Sequence, residues 1–466
     1  MEAVTKIQII RAHNIPQKIK TEKGEIILEE KKLGFWSLFF MLAGTMIGPS
    51  ICIYIGYTMG VTGLSAWLCI FCAMFLGLAL FFPMRYMSQY VSLRGGVYSV
   101  ISSIGGKTFS GVFAYSAIVN YMTITSMALG AAKYVCSVMP DWNVTVVAFV
   151  ILTLLAVLNL FNIKSISAAQ SAMTIVLVAC LSLFFIVGVF KIDQPIFDFS
   201  NPSFFANGAK GFYLGVGLLA TMGQTCQYAM SFTDIAKNPK KDVPKIMLAV
   251  PLFLIVFYVL ITFVAEGVLP MSEVAGQGTL SPQAFKVFGQ KLGVVFVIAG
   301  PLLALLTSLN GFFVAIPAAI RANARDGWYP KWFTKYNKFG GNYGAVLPLY
   351  IICVIPLVFG LDIVTLTQWS LLMGAIAYYM MIYCFIRFPG KYADVIARSG
   401  IPFNKTTYYI SCVFAFLAET FFTVYALQNM DKKILPFCIG FVVLIFVVGI
   451  IRGRSSSVEI EDLPEY

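Results

Sequence analysis

The sequence predicts an all-α integral membrane protein. It reads as twelve transmembrane helices in two five-helix inverted repeats, with interrupted helices 1 and 6 and two peripheral helices. The first observation is composition: 466 residues are 59% hydrophobic and 12% charged, with a mean hydropathy of +0.83. A soluble domain carries about 25% charged residues, so this chain lacks the polar material to coat a surface in water. The second is a series of apolar runs of spanning length, and the third is the uneven placement of the basic residues. Together they exclude a secreted disulfide scaffold, a nucleic-acid-binding domain and a soluble enzyme.

The apolar runs, bounded by charges, Pro or Gly, lie at 35–60, 63–84, 107–138, 144–160, 166–190, 210–234, 246–268, 291–320, 346–360, 363–387, 406–427 and 434–451. At about 20 residues per crossing, twelve crossings consume roughly 240 residues. The domain reading follows: a tail over 1–32, a transporter domain over 33–451 and a second tail over 452–466. Within the domain, the first repeat covers about 33–190, the second about 205–388, and the peripheral helices about 405–451. Both tails are charged and lack an apolar period, so they are expected to be mobile. Residues 85–106 read as a polar inner connection and 270–290 as an outer loop. No cleavable signal is expected, because about thirty charged-tail residues precede a first run long enough to span.

With the N-terminus in the cytoplasm, 26 Lys and Arg fall on the inner side and 7 on the outer side. The positive-inside rule requires such a split. It places both termini in the cytoplasm of a multi-pass protein of the cytoplasmic or plasma membrane, and it accounts for the net charge of +12 without an anionic partner. The ten cysteines all lie in apolar runs and read as buried apolar side chains. The single histidine, His13, lies in the tail, so no metal centre is expected.

Two spans are unlike the rest. The first carries Ala43-Gly44-Thr45-Met46-Ile47-Gly48-Pro49-Ser50, and the sixth carries Thr221-Met222-Gly223-Gln224-Thr225-Cys226-Gln227. Hydrocarbon cannot satisfy the backbone groups such sequences leave unpaired, so the breaks must be buried in protein or line a cavity. Interruptions at corresponding places in two halves point to a midplane binding site.

Four motifs then stand in order. Gly44-Thr45-Met46-Ile47-Gly48 resembles the first-helix signature of amino acid permeases. Arg94-Gly95-Gly96-Val97-Tyr98 resembles their "GGxY" segment, and Asn238-Pro239-Lys240-Lys241-Asp242-Val243-Pro244 their "NPxRxIP" run. Ala324-Arg325-Asp326-Gly327-Trp328-Tyr329-Pro330 resembles "ARDGxxP". The resemblance is to the amino acid–polyamine–organocation (APC) superfamily and covers about residues 33–451. It implies a LeuT-type fold. It also implies that backbone N–H groups of Met46, Ile47, Gly48 and Ser50 face a substrate carboxylate, and that carbonyls of Thr221, Met222 and Gln224 face its amino group. Phe312 becomes an aromatic contact from helix 8, with Gly44, Thr45, Gly223 and Gln227 beside the site.

Departures from the pattern matter. Pro49 has no N–H to offer, and Thr221 stands where the family has an aromatic gate, which suggests a roomier pocket. Leu177 stands where proton-coupled members often have lysine. Thr307 and Ser308 could supply oxygens to sodium, although hydroxyls bonding back within their own helix are the favoured reading. Glu419, an intramembrane carboxylate, is a candidate by default, with a structural partner equally open. Asn120 and Tyr121 either line the pocket or pair with another helix. Glu266 is expected to reach headgroups, and Gln368 and Trp369 to sit in the aromatic belt. Arg325 and Asp326 are expected to pair with charges on neighbouring loops.

The function expected is secondary active transport of an amino acid or its derivative, by alternating access around the midplane site. The alternatives are an amine/amino-acid exchanger and a non-transporting nutrient sensor. Enzymatic activity is not expected. Nor is a cofactor, beyond Na⁺ or H⁺ as the coupling ion. The partners are a small-molecule amino acid or amine and the lipid bilayer, with no nucleic acid.

Overall fold

The computed structural model describes residues 18–20, 26–28, 32–93, 96–161, 166–233, 235–274, 278–455 and 463–464. Arg94 and Gly95 of the second motif lie outside these residues. The architecture is helical apart from one antiparallel pair, Lys18–Lys20 with Ile26–Leu28, in the segment expected to be featureless.

By length and composition, seven described helices can cross a membrane, or eight if one bent pair counts as a span. In chain order the helical segments are helix 1 (Phe35–Thr62), helix 2 (Ala66–Met87), helix 3 (Gly96–Val138), helix 4 (Val144–Leu160) and helix 5 (Ile166–Gly188). Helix 6 is composite: Gly208–Leu218, Ala220–Gln224 and a 3₁₀ stretch, Thr225–Phe232. Helix 7 (Pro239–Val268), helix 8 (Ser281–Arg325), helix 9 (Tyr343–Val358) and helix 10 (Ile363–Lys391) follow. Helix 11 (Lys405–Asn429) and helix 12 (Leu435–Ser455) close the series.

Several helices run past the apolar runs that announced them, because a helix continues into water where hydropathy stops marking it. Helix 7 starts at Pro239, which needs no partner for its missing N–H there. Residues 96–105, expected as connection, are helical with a π-turn at Ile101–Gly105. The outer loop likewise holds a helical turn, Met271–Val274, and the first turns of helix 8, which kinks at Gly289 (φ 75°, ψ 171°).

The second and fourth motifs meet. Tyr98 donates its hydroxyl to Asp326 Oδ2 at 2.9 Å and accepts from Trp328 Nε1 at 3.0 Å, while Tyr115 donates to the Trp328 carbonyl at 2.6 Å. Asp326 is therefore held by a phenol rather than by the loop charge expected for it. Two further expectations are corrected. Glu266 is fully buried, and its Oε1 accepts the Trp67 backbone N–H at 3.1 Å. It closes the first turn of helix 2, where unpaired N–H groups and the helix dipole favour a carboxylate. Gln368 and Trp369 are buried rather than belted, with Trp369 edge-on to Phe441 of helix 12 at 5.7 Å. In the C-terminal tail, Leu463 is buried. Its N–H donates to the Tyr392 hydroxyl at 3.0 Å, and the Ser92 N–H donates to the Pro464 carbonyl at 2.7 Å.

Candidate functional site

Helix 1 bends by 46° between Phe35–Ile47 and Ile51–Thr62. The cause is local: Pro49 cannot donate to the carbonyl four residues back, at Thr45, and its ring crowds that carbonyl. The neighbouring Met46 carbonyl is taken by the buried hydroxyl of Tyr258 on helix 7, at 3.0 Å. Met46 and Ile47 are wholly buried. Thr45 spends its hydroxyl on the Met41 carbonyl at 2.9 Å, so its side chain is engaged within helix 1. Gly44 is half-buried. The side chains of Pro49 and Ser50, and the surroundings of Gly48, lie outside the described residues.

Helix 6 lies against the bend. Its α-helix is interrupted at Leu219, resumes over Ala220–Gln224 and then tightens into eight residues of 3₁₀ helix. A 3₁₀ run of more than three or four residues is uncommon and marks strain or a hinge. The Met222 carbonyl accepts the Thr225 hydroxyl at 2.8 Å. Gly223 faces helix 2: a Cβ built there would stand 2.6 Å from Gly77 Cα. Its face is thus filled by backbone, a packing role that the sequence reading did not give it. Gln224 is buried with Nε2 unpartnered, and Asn120 on helix 3 has Oδ1 buried and unpartnered. Gln227 donates from Nε2 to the Tyr378 hydroxyl of helix 10 at 3.3 Å. Phe312 of helix 8 meets Tyr228 of helix 6 edge-on, with ring centroids 6.2 Å apart.

The space left by Thr221 is occupied from helix 1. Tyr54 is buried, its hydroxyl pairs with Thr367 Oγ1 of helix 10 at 3.0 Å, and it bonds with the hydroxyls of Ser126 and Thr221. Four helices (1, 3, 6 and 10) thus converge on one phenol, and the roomier pocket expected from Thr221 is filled. A tyrosine at mid-span whose hydroxyl must find a partner was the signal that could have singled out Tyr54, and likewise Tyr228 and Tyr378.

The ion-site candidates separate. Thr307 donates back to the Ala304 carbonyl at 2.9 Å, the within-helix bond favoured for it. Ser308 is half-buried on the same helix. Glu419 is buried, with Oε1 accepting from Thr423 Oγ1 at 3.3 Å and Oε2 unpartnered. Among the described residues no group of three or more His, Cys, Asp or Glu could hold a metal ion.

A bent helix facing an interrupted one inside an apolar helical bundle is the architecture of a membrane transporter. The comparison of sequences is specific: residues 33–453 match the family model described as "Amino acid permease", and the chain belongs to that family. An uncharacterized protein of Methanocaldococcus jannaschii is 23% identical over 370 residues, 77% of this chain and 82% of its own length. The D-serine/D-alanine/glycine transporter of Escherichia coli K12 is 22% identical over 313 residues, covering 63% of this chain and 65% of the transporter. The serine/threonine exchanger SteT of Bacillus subtilis is 24% identical over 319 residues, covering 65% and 70%. The family and these named relatives are transporters, so amino acid transport in general is the function class to which the chain belongs.

Proposed function

We propose that this protein is a secondary active transporter of an amino acid or amino-acid derivative, working by alternating access around a midplane site between helices 1 and 6. In this reading the chain crosses the membrane twelve times with both ends in the cytoplasm. The observation that carries it is the pairing of the 46° bend at Pro49 with the interrupted, partly 3₁₀ helix 6 beside it. Backbone of this kind at membrane depth needs a cavity or a ligand to face. Gln224 Nε2 and Asn120 Oδ1, one donor and one acceptor without protein partners, are the side-chain groups proposed to meet a polar substrate. The N–H groups of Ile47, Gly48 and Ser50 are proposed for its carboxylate and the carbonyls of Thr221 and Gln224 for its amine. Exchange is the second reading, favoured by the likeness to a serine/threonine exchanger.

The test is uptake by purified protein in liposomes, offered a panel of labelled amino acids and the corresponding decarboxylated amines. Saturable uptake of one or a few amino acids supports the proposal. Uptake only when the vesicles are preloaded with substrate selects exchange. Uptake of amines alone overturns the amino acid assignment, and binding without flux overturns transport in favour of sensing.

A further inference from the structure

Helix 11 packs against helices 2 and 10 and the first part of helix 6. One stripe of it is buried (Ser411, Cys412, Ala415, Ala418, Glu419, Phe422), while Val413, Phe414, Phe416 and Leu417 are exposed. That spacing is the helical period. It puts Glu419 on the protein-facing side, away from lipid. The side chain is 1% exposed, and its one printed bond is to Thr423, a turn further on its own helix. Among the described residues no lysine or arginine forms an ion pair with it. An uncompensated carboxylate in such a place carries its whole desolvation cost, whereas a carboxyl that takes and releases a proton need not.

The groups around it narrow its role. Helix 2 carries Cys69, Cys72, Arg85 and Tyr86, with Arg85 bonded to the Pro244 carbonyl at 3.3 Å. The first part of helix 6 contributes Lys210 and Tyr213, and Tyr213 bonds to Gln428 at 3.0 Å. On helix 10, Tyr379 bonds to Thr420 at 3.3 Å, and Tyr378 lies within electrostatic reach of Glu419. Helix 11 itself adds Tyr408, Tyr409, Cys412 and Tyr425. Tyr378 is the one that leads onward. Its hydroxyl accepts from Gln227 Nε2 on the 3₁₀ part of helix 6, which leaves its own hydrogen to be donated elsewhere.

We propose that Glu419 is the proton-carrying residue of this transporter, and that Tyr378 passes its protonation state to the substrate site through Gln227. The proposal rests on the transport reading above and adds the coupling ion to it. One proton binds a Glu419 oxygen from one side of the membrane, forming an O–H bond, and leaves to the other side when that bond breaks. No other bond changes order. With the proton on, Tyr378 faces a neutral acid. With it off, the phenol turns its hydrogen to the carboxylate, and its oxygen becomes a stronger acceptor for Gln227, since hydrogen bonds in a chain polarise one another. The 3₁₀ segment of helix 6 then has two arrangements, selected by one proton.

The experiment uses the full chain in liposomes, with a pH gradient imposed across the membrane and the amino acid found to be transported as probe. Wild-type uptake is expected to rise about 5- to 150-fold with an inward proton gradient, the usual range of coupling between sites, and to collapse with a protonophore. Glu419→Gln keeps the shape but cannot ionise. It is expected to retain substrate counterflow while its uptake no longer responds to the gradient. Tyr378→Phe, a milder change that guards against a misfolded Gln variant, is expected to retain counterflow and lose most of the gradient response. A gradient response unchanged in either variant overturns the proposal, as does wild-type uptake that follows sodium and ignores protons. Absence of uptake and counterflow in the wild type would instead overturn the transport reading beneath it.

Discussion

Replacing Gly223 by alanine tests the closest approach at the heart of the candidate site. A Cβ at residue 223 would stand 2.6 Å from Gly77 Cα, 3.2 Å from Gly77 N and 3.3 Å from the Ala73 carbonyl oxygen. The reverse change, Gly77→Ala, would place a Cβ 2.3 Å from Gly223 Cα and 2.7 Å from its carbonyl carbon. Carbon atoms pack at about 3.5–4.0 Å, so the two helices must separate by roughly 1 Å. Every atom in the way is backbone, with no rotamer to yield. Overpacking of this kind costs about 1–3 kcal/mol, and each 1.4 kcal/mol is about a factor of ten in the folded-to-unfolded ratio.

The control is Gly440→Ala on helix 12, where nothing lies within 4 Å of a new Cβ. There alanine is expected to be neutral or stabilising, since glycine within a helix costs about 0.8–1.0 kcal/mol. Thermal denaturation of the purified variants in one detergent reads the difference. Gly223→Ala should melt below wild type, and Gly440→Ala at or above it. Coincident melting of the two variants would refute the close packing of helices 2 and 6. The same geometry means that lost uptake in a Gly223→Leu variant would report displaced helices, so Gln224→Ala and Asn120→Ala are the cleaner probes of substrate contact.

The other expected outcomes are more local. Glu266→Ala should destabilise the fold by about 0.5–2 kcal/mol through loss of the helix 2 cap, with Glu266→Gln largely restoring it; equal melting of all three proteins would remove the capping role. Thr307→Ala should leave uptake independent of sodium concentration, since Thr307 Oγ1 is engaged with the Ala304 carbonyl; a raised sodium requirement would contradict this. Tyr54→Phe should increase labelling, from the outer face, of a cysteine placed at residue 221, because one phenol ties helices 1, 3, 6 and 10. Unchanged labelling would deny the knot a gating role. For orientation, a cysteine at Ser272 should react with an impermeant reagent from outside, and one at Lys240 only from inside; the reverse pattern would invert the topology.

The sequence disclosed features that depend on composition and on a residue's own chemistry. The bend of helix 1 was legible because Pro49 alone removes a donor, whatever surrounds it. The disturbance in helix 6 was legible as a weak helix but not in position: the break falls at Leu219, and the polar run behind it winds as 3₁₀ rather than unwinding. Features that depend on a partner far along the chain were misread. Glu266 stands near a helix end, and nothing in its neighbourhood says that it points at Trp67, 199 residues away. Gln368 and Trp369 were assigned to the belt by the same reasoning from depth alone. Thr221 suggested empty space because the phenol that fills it comes from helix 1. In each case register along the helix was available and the identity of the facing helix was not.

The contacts around the site differ in how they can respond to a substrate. Helices 2 and 6 meet backbone to backbone at Gly77 and Gly223, and the helix 2 cap comes from Glu266 on helix 7. Neither can be parted without losing close packing or leaving a buried carboxylate unpaired, at a cost of several kcal/mol for the pair. The Tyr54 hydroxyl knot is of another kind: a typical hydrogen bond contributes about 0.5–1.5 kcal/mol net, and hydroxyls freed into a wet cavity regain water. The inner end of helix 1 is held similarly, by two backbone bonds at Leu33, to the Ile235 carbonyl at 2.6 Å and from the Lys237 N–H at 2.8 Å. In the proposed cycle helices 2, 6 and 7 therefore move as one body near the site. The Tyr54 knot and the Leu33 bridge break by turns on opposite sides of the Pro49 bend, within reach of the differential binding energy one small substrate can supply.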